Sequence, residues 1–336
     1  MKTAVVILNW NGRDLLGKFL PTLLLHTTLP DTEIIVADNA STDDSVAFVQ
    51  QYFPTVSIIR LDKNYGFAEG YNRALKQVQA DYYVLLNSDV EVTENWLTPL
   101  IAHIETHPNV AACQPKIKAY HNKTHFEHAG ACGGLIDKFG YPFCRGRIMS
   151  HTEQDRGQYD HHSPQIAWAS GACLGIKSEA FHSVGGFDGA FFAHMEEIDL
   201  CWRLTNRGYE IHCVPQSTVY HVGGATLATE SPRKTYLNFR NNLLMLYKNL
   251  PNKRLLWVMF VRLFMDYAAM SMLIFTGKWA NAKAIIKARM DFLKMRKDFK
   301  QKRNENTRKT CTTKPHIWEN RSIVWDFYMK GMRDEK

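Results

Sequence analysis

The sequence predicts an α/β protein: a mostly parallel mixed sheet covered by helices on both faces, followed by helices that associate with a membrane. Three observations carry that expectation. Over the first third of the 336 residues, four short apolar runs alternate with four amphipathic stretches of helical length, the pattern of a parallel sheet with helical crossovers. Each run ends in a cluster of Asn, Asp, Ser or Gly. Towards the C-terminus, the apolar segment 255–276 precedes a basic amphipathic one, 279–303.

Met1-Lys2-Thr3 leads straight into Ala4-Val5-Val6-Ile7-Leu8, a run too short for a secretory signal core and closed by a polar turn, so it reads as a buried strand. Further strands are expected at 33–37, 56–61 and 82–86, with helices at 13–25, 43–53, 67–78 and 94–107. Beyond 110–114 the periodicity is lost. Residues 115–164, rich in Gly, His and aromatics, read as loops and short strands. A strand-like run at 167–176 follows, then helices at 178–184 and 196–207, strands at 210–214 and 218–220, and a helix at 234–250 stopped by Pro251. Arg262 and Asp266 interrupt the apolar segment four residues apart, the spacing of an ion pair on one helical face.

With 45% hydrophobic and 22% charged residues the composition is that of a globular protein and excludes disordered and fibrous classes. The net charge of +8 is uneven: residues 277–336 hold 17 Lys and Arg against 7 Asp and Glu, so the rest is close to neutral. A basic tail suits anionic lipid or nucleic acid. The apolar segment ahead of it favours lipid, and no nucleic-acid-binding module accompanies it, so nucleic acid is not an expected partner. Residues 255–276 approach the ~20 needed to span a bilayer, but Arg262 and Asp266 would be costly at its centre. The expected mode is peripheral or monotopic attachment to an anionic membrane surface through residues 255–303. Seven cysteines without a CxxC pair read as free thiols in a reducing compartment, which places the chain on the cytoplasmic face of the plasma (inner) membrane.

The polar clusters are Asn9-Trp10-Asn11-Gly12, Asp38-Asn39-Ala40-Ser41-Thr42-Asp43, Asp62-Lys63-Asn64-Tyr65-Gly66 and Asn87-Ser88-Asp89. Any one of them is explained by turn and cap chemistry. Four on one sheet edge, with acids at Asp38 and Asp89, predict a shared site, because ligands of open α/β sheets bind outside the carboxyl ends of the strands. No GxGxxG follows the first strand and no GxxxxGK[ST] occurs, which argues against a dinucleotide oxidoreductase and a P-loop phosphotransferase.

These motifs, in this order, resemble the opening of family-2 glycosyltransferases, and the likeness extends from about residue 3 to about residue 247. The resemblance implies a GT-A (Rossmann-like) fold, an inverting reaction and a nucleotide diphosphate-sugar donor, with rhamnosyltransferases as the branch most alike in general appearance. It assigns Asp38 to the nucleobase, with Asn9, Asn11, Asn39 and Ser41 around it, and Asn64 to the ribose or diphosphate. Asn87 and Asp89 fall on the first and last positions of the family's DxD motif, so Asp89 would hold a divalent cation, Mg²⁺ or Mn²⁺; Asn87 stands where many members carry Asp. Hard cations accept one carboxylate supplemented by phosphate oxygens, and such a cation neutralises a departing diphosphate.

Attack by an acceptor hydroxyl needs a proton acceptor. In His194-Met195-Glu196-Glu197-Ile198-Asp199-Leu200-Cys201-Trp202-Arg203 the family pattern of an acidic pair followed by x-D-L-x-x-R makes Glu197 the general base, with Glu196 beside it. Asp199 and Arg203 are spaced for a structural pair. Gly171 and Ala172, in Ala169-Ser170-Gly171-Ala172-Cys173, resemble residues lining the donor-sugar and acceptor region. His221 is a weaker candidate for a diphosphate or metal contact, and Arg240 either contacts phosphate or caps a helix. Residues 1–250 would form the catalytic domain, divided into a nucleotide-binding half (1–114) and an acceptor-side half (115–250), with 251–336 as the membrane-associating region. The absence of QxxRW favours single addition over processive synthesis. The partners implied are the nucleotide-sugar donor and a glycan or lipid-linked acceptor, in assembly of a bacterial surface polysaccharide or glycolipid. A sugar nucleotidyltransferase, which would show a Gly-rich basic loop after the first strand, and a catalytically inactive membrane scaffold are the alternatives.

Overall fold

The computed structural model describes residues 1–161, 164–223, 231–311 and 318–333. The first strand, β1 (Thr3–Asn9), is buried along almost its whole length, as expected of a central strand covered on both faces. It is followed by α1 (Arg13–His26), β2 (Thr32–Asp38), α2 (Ser45–Tyr52), β3 (Ser57–Arg60), α3 (Gly66–Leu75), β4 (Tyr82–Leu86), β5 (Val90–Val92), α4 (Leu97–Thr106), β6 (Val110–Ala119) and β7 (Asn122–Phe126). A small second sheet uses β8 (Gly134–Asp137), β9 (Pro142–Cys144), β10 (Arg147–Ile148) and β11 (His151–Thr152). Then come β12 (Gln165–Ile166), β13 (Cys173–Lys177), α5 (Ser178–Ser183), α6 (Glu196–Thr205), β14 (Glu210–His221), α7 (Pro232–Asn249), α8 (Asn252–Phe275), α9 (Trp279–Arg308), β15 (Trp318–Glu319) and α10 (Ile323–Met329).

The main sheet has the order β12-β14-β6-β13-β4-β1-β2-β3, with β5 on β14 and β7 on β6. Strands β3, β2, β1 and β4 run parallel and β13 enters antiparallel. The chain steps outward from β1 in both directions, and such a reversal of strand order leaves a crevice at the carboxyl ends. Register fixes what meets there: Asn9 lies beside Asp38, and Leu86 pairs with Cys173, which brings Asn87 next to Ala172. Alternate side chains of β1 serve different layers. Val5 and Ile7 pack with α1, α2 and α4, whereas Ala4 and Val6 pack with α3, α6 and α7.

The parallel half matches the expected elements to within a few residues; the strand-like run expected at 167–176 is a strand only over Cys173–Lys177, and other boundaries differ for identifiable reasons. The two strands expected at 210–214 and 218–220 are one, β14, whose pairing with β6 slips between Val214 and Thr218; a bulge re-registers the ladder without ending it. The helix expected from residue 94 begins at Leu97, because Asn95 has φ 54°, outside helical backbone. The irregular region expected from 115 begins with five more residues of β6. The helix expected from 234 begins at Pro232, capped by the Ser231 hydroxyl accepting from the Lys234 N–H, since proline suits the first turn of a helix.

At the C-terminal end α9 packs along α7, and α8 lies across both. Arg262 of α8 pairs with Asp266 one turn on, at 3.3 Å, and Arg289 of α9 reaches the other oxygen of Asp266. Both members of the α8 pair are buried, and the Arg262 guanidinium lies 3.9 Å from the centre of the Tyr141 ring. The opposite side of α8 exposes Leu256, Trp257, Phe260, Phe264, Tyr267 and Phe275. Six of the seven cysteines are buried, Cys311 is exposed, and all are free thiols.

Candidate active site

Three groups of side chains sit at the carboxyl edge of the main sheet. The first surrounds Asp38. The buried amide of Asn9 donates to Asp38 Oδ1 at 3.3 Å, to Ser41 Oγ at 3.1 Å and to Ser45 Oγ at 3.0 Å, while the Ser41 N–H donates to Asp38 Oδ2 at 3.1 Å. Asn11, in left-handed backbone at φ 52°, accepts from the Thr42 N–H at 2.7 Å and donates its own N–H to Ser41 Oγ at 2.9 Å. Asn9, Asn11 and Ser41 therefore fix the loop that presents Asp38. Next along the edge, Asn39 donates to Asn64 Oδ1 at 3.2 Å and to the Gly66 carbonyl at 3.0 Å, and accepts from the Tyr65 N–H at 3.0 Å.

The second group is Asp89, His221, Glu127 and Asn87. His221 Nε2 is 3.2 Å from Asp89 Oδ1, and its Nδ1 is 3.2 Å from Glu127 Oε2. Asn87 Nδ2 stands 3.5 Å from His221 Nε2. Burial lowers the affinity of His221 for its proton, but the two carboxylates outweigh burial and raise the pKa to about 10, so the ring is cationic at neutral pH. The carboxylates of Asp89 and Glu127 and the amide oxygen of Asn87 are hard donors of the kind Mg²⁺ or Mn²⁺ accepts, whereas the imidazolium, with both nitrogens directed at carboxylates, offers a metal no lone pair. Among the described residues no three His, Cys, Asp or Glu side chains are arranged to hold a metal ion. Glu127 was not singled out from the sequence. It lies in an aperiodic stretch 94 positions from His221, and only the fold joins them. Gly224, which follows His221 in the Gly pair, and His162 lie outside the described residues.

The third group is the acidic pair at the start of α6. Glu196 is buried and Glu197 partly exposed, and each has one carboxylate oxygen enclosed without a hydrogen-bond partner. Burial raises both pKa values. That of Glu196 is pushed up further by the neighbouring charge of Glu197, whereas backbone N–H groups of the helix start restrain Glu197 to about 7. Asp199 plays a different part: fully buried, it is held in its charged form by Lys248 and Arg203 against the cost of burial. The 2.8 Å Arg203–Asp199 contact is the structural pair the spacing predicts.

These groups are joined. The Asn87 N–H donates to the Ala172 carbonyl at 3.0 Å. A β-carbon on Gly171 would lie 3.2 Å from the Phe67 ring and 4.0 Å from Glu197 Cβ, so Gly171 keeps the approach to Glu197 open. The N–H groups of Phe67 and Ala68 donate to the Phe192 carbonyl at 2.8 and 3.2 Å, tying the start of α3 to the loop that delivers Glu197. Arg240 caps a helix end: it meets the close of the short 3-10 helix Gly189–Phe191. Its guanidinium donates to the carbonyls of Ala190 and Phe191, both at 3.1 Å.

A model of glycosyl transferase family 2 matches residues 4–172, the span that carries the Asp38, Asn64 and Asp89 motifs and ends at Ala172. The O-antigen biosynthesis protein RfbC of Myxococcus xanthus is 28% identical over 247 residues, which cover 70% of this chain but only 18% of that protein. The N-acetylglucosaminyl-diphospho-decaprenol L-rhamnosyltransferase of Mycobacterium tuberculosis is 27% identical over 232 residues, covering 65% of this chain and 75% of the relative. Among solved structures, Staphylococcus aureus TarS (residues 1–349, in complex with UDP-GlcNAc) superposes with a TM-score of 0.57 at 15% identity, over 92% of this chain and 89% of that one. GalNAc-T7 with UDP, GalNAc and Mn²⁺ gives 0.57 at 17% identity over 74% and 48%; at such identities the likeness is one of fold, the GT-A arrangement. With strand order, motif positions and family model in agreement, the chain belongs to glycosyl transferase family 2 and is a glycosyltransferase.

Proposed function

We propose that this glycosyltransferase moves a sugar from a nucleotide diphosphate donor to a hydroxyl of a glycan or lipid-linked acceptor, with inversion at the anomeric carbon. The observation that carries the reading is the partly exposed Glu197, whose carboxylate has an unpartnered oxygen, beside Gly171 on the sheet edge that also presents Asp38 and Asp89. Asp38 and Asn39 hold the nucleoside, and Asn64 approaches its ribose or diphosphate. Glu197 takes the proton of the acceptor hydroxyl as its oxygen bonds to the anomeric carbon, while the bond from that carbon to the diphosphate oxygen breaks on the opposite face. Asp89 and Asn87 would hold a divalent cation, which would supply neutralising charge to the leaving diphosphate, and the cationic His221 beside them would add to it.

The membrane is the second part of the proposal. Helix α8, 24 residues long, has the length and composition to cross a bilayer, yet its Arg262 and Asp266 face the protein while its aromatics face out. That asymmetry supports an in-plane anchor, with the exposed Lys283, Lys287, Lys294 and Lys297 of α9 beside anionic headgroups. The setting is the cytoplasmic face of the membrane, in assembly of a surface polysaccharide or glycolipid; the two bacterial relatives named above support it. The relevant experiment presents the purified protein with UDP-, GDP- and dTDP-sugars, with and without Mg²⁺ or Mn²⁺, and with a polyprenyl-diphosphate-linked acceptor. Release of nucleotide diphosphate from one donor, lost in chelator and in Asp89→Ala, is expected; no turnover together with no metal-dependent nucleotide binding overturns the reading.

A further inference from the structure

The chain just ahead of Glu197 adopts backbone that L-residues avoid. Phe192, His194 and Met195 have φ of 66°, 70° and 73°, and none is a glycine. Such backbone persists only where its surroundings over-determine it. The left-handed Met195 immediately precedes the first turn of α6, so its conformation decides where the carboxylate of Glu197 points.

The surroundings that hold it come from α7. Asn241, wholly buried, donates its side-chain amide to three carbonyls of this loop: those of Phe191 at 2.9 Å, Ala193 at 2.8 Å and His194 at 2.8 Å. Arg240 supports it from the next position. Its guanidinium donates to Asn241 Oδ1 at 2.7 Å as well as to the Ala190 and Phe191 carbonyls. One face of this small network is thus the carbonyl side of the strained loop; the other is anchored on α9, because Tyr236, whose hydroxyl lies 3.4 Å from Arg240, donates to Asp291 at 2.8 Å. Carbonyls turned away from helix or sheet need donors, and an amide that meets three at once leaves the loop no second arrangement of equal quality.

We infer that Arg240 and Asn241 are positioning residues for the transfer step, holding the loop from Ala190 to Met195 so that Glu197 meets the acceptor hydroxyl. The inference rests on Glu197 being the base. It assigns the pair no contact with donor or acceptor and separates it from the nucleotide-binding edge at Asp38 and Asn39. A base displaced by about 1 Å loses roughly 10²-fold in rate, with nucleotide affinity left intact.

The test compares Asn241→Ala, Arg240→Lys and Glu197→Gln in the full-length protein, by kcat, donor KM, nucleotide affinity and melting temperature. Asn241→Ala is expected to lower kcat about 10²-fold with donor KM and nucleotide affinity within about twofold of the parent. Arg240→Lys, which keeps a cationic donor for the same carbonyls, is expected to lose less than tenfold. If Asn241→Ala leaves kcat unchanged, or lowers kcat and nucleotide affinity in parallel, the positioning role is wrong. Should that variant not fold, Arg240→Gln replaces it under the same two criteria. Native turnover in Glu197→Gln would instead remove the base assignment, an outcome distinct from failure of the positioning role.

Discussion

The ring of Phe192 fills the space a side chain on Gly66 would need: an ideal β-carbon there would stand 2.5 Å from the ring. Gly66 closes the Asn64-Tyr65-Gly66 motif of the nucleotide half, and Phe192 opens the strained loop before Glu197. The two halves of the site therefore meet at a position where only glycine fits, both for that space and for its φ of 73°. Gly66→Ala should push the loop away and lower kcat by about 10–10²-fold, with Asp38 undisturbed. Steady-state kinetics alongside nucleotide binding by calorimetry would check it; native kcat would mean the loop position is irrelevant to turnover.

The pH dependence of turnover should follow Glu197. Its carboxyl is raised to about 7 by burial, and the base works only when deprotonated. Activity should therefore fall as pH drops through about 7, tenfold per unit well below it, and level off above. Glu197→Gln should lose most activity and flatten the profile. A surviving limb near 7 in that variant would assign the titration to another group.

Asp89 should control the response to metal. Asp89→Asn keeps the shape but removes the charge, and loss of one stabiliser of developing charge typically lowers kcat by about 10²–10³-fold. Nucleoside binding through Asp38 should survive, so the variant should still bind the bare nucleoside while its diphosphate affinity no longer responds to Mn²⁺. A titration with and without chelator separates these; an unchanged metal response would remove Asp89 from the cation site.

The buried pair on α8 gives a stability prediction. Asp266→Ala leaves Arg262 and Arg289 facing each other without their shared carboxylate. Breaking a buried pair on one side costs about 3–5 kcal/mol, whereas replacing the paired residues by apolar ones of similar volume is often neutral. Denaturant unfolding should show Asp266→Ala much less stable than the parent and a triple Arg262→Met, Asp266→Leu, Arg289→Met variant close to it. Equal losses in both would mean that packing, not charge, dominates there.

The nucleotide half was legible because its signals are local. The apolar runs of β1, β2 and β4 and the polar clusters after them are each a few residues long, and register alone lines them up. Glu127 and Asn241 were not legible as site residues. Glu127 acquires its role by meeting His221 across β6 and β14, and Asn241 by meeting carbonyls 47–50 positions earlier. Neither pairing leaves a periodicity, and an asparagine inside a helix says nothing of what it faces. The strain at Phe192, His194 and Met195 was hidden for the same reason, since no glycine marks it. Arg240 was noticed, but its spending on backbone carbonyls depends on a loop whose path the sequence does not encode locally.

Adjacent asparagines on α7 both touch the loop ahead of Glu197, Asn242 through Met195 Sδ at 3.9 Å, but differ in their other partners. Asn241 holds the Glu197 loop, while Asn242 donates to the Gly140 carbonyl and accepts from Arg262 of α8. One helix thus seats both the loop ahead of Glu197 and the helix with the exposed apolar stripe, α8. Anyone seeking a soluble form by trimming after Leu250 would keep every residue proposed to hold the nucleotide and strip away the far side of the wall that the Glu197 loop leans on. Solubility is better sought by recolouring the outer stripe of α8, Trp257, Phe260 and Phe264, with polar residues, leaving the helix and its inward-facing charges in place.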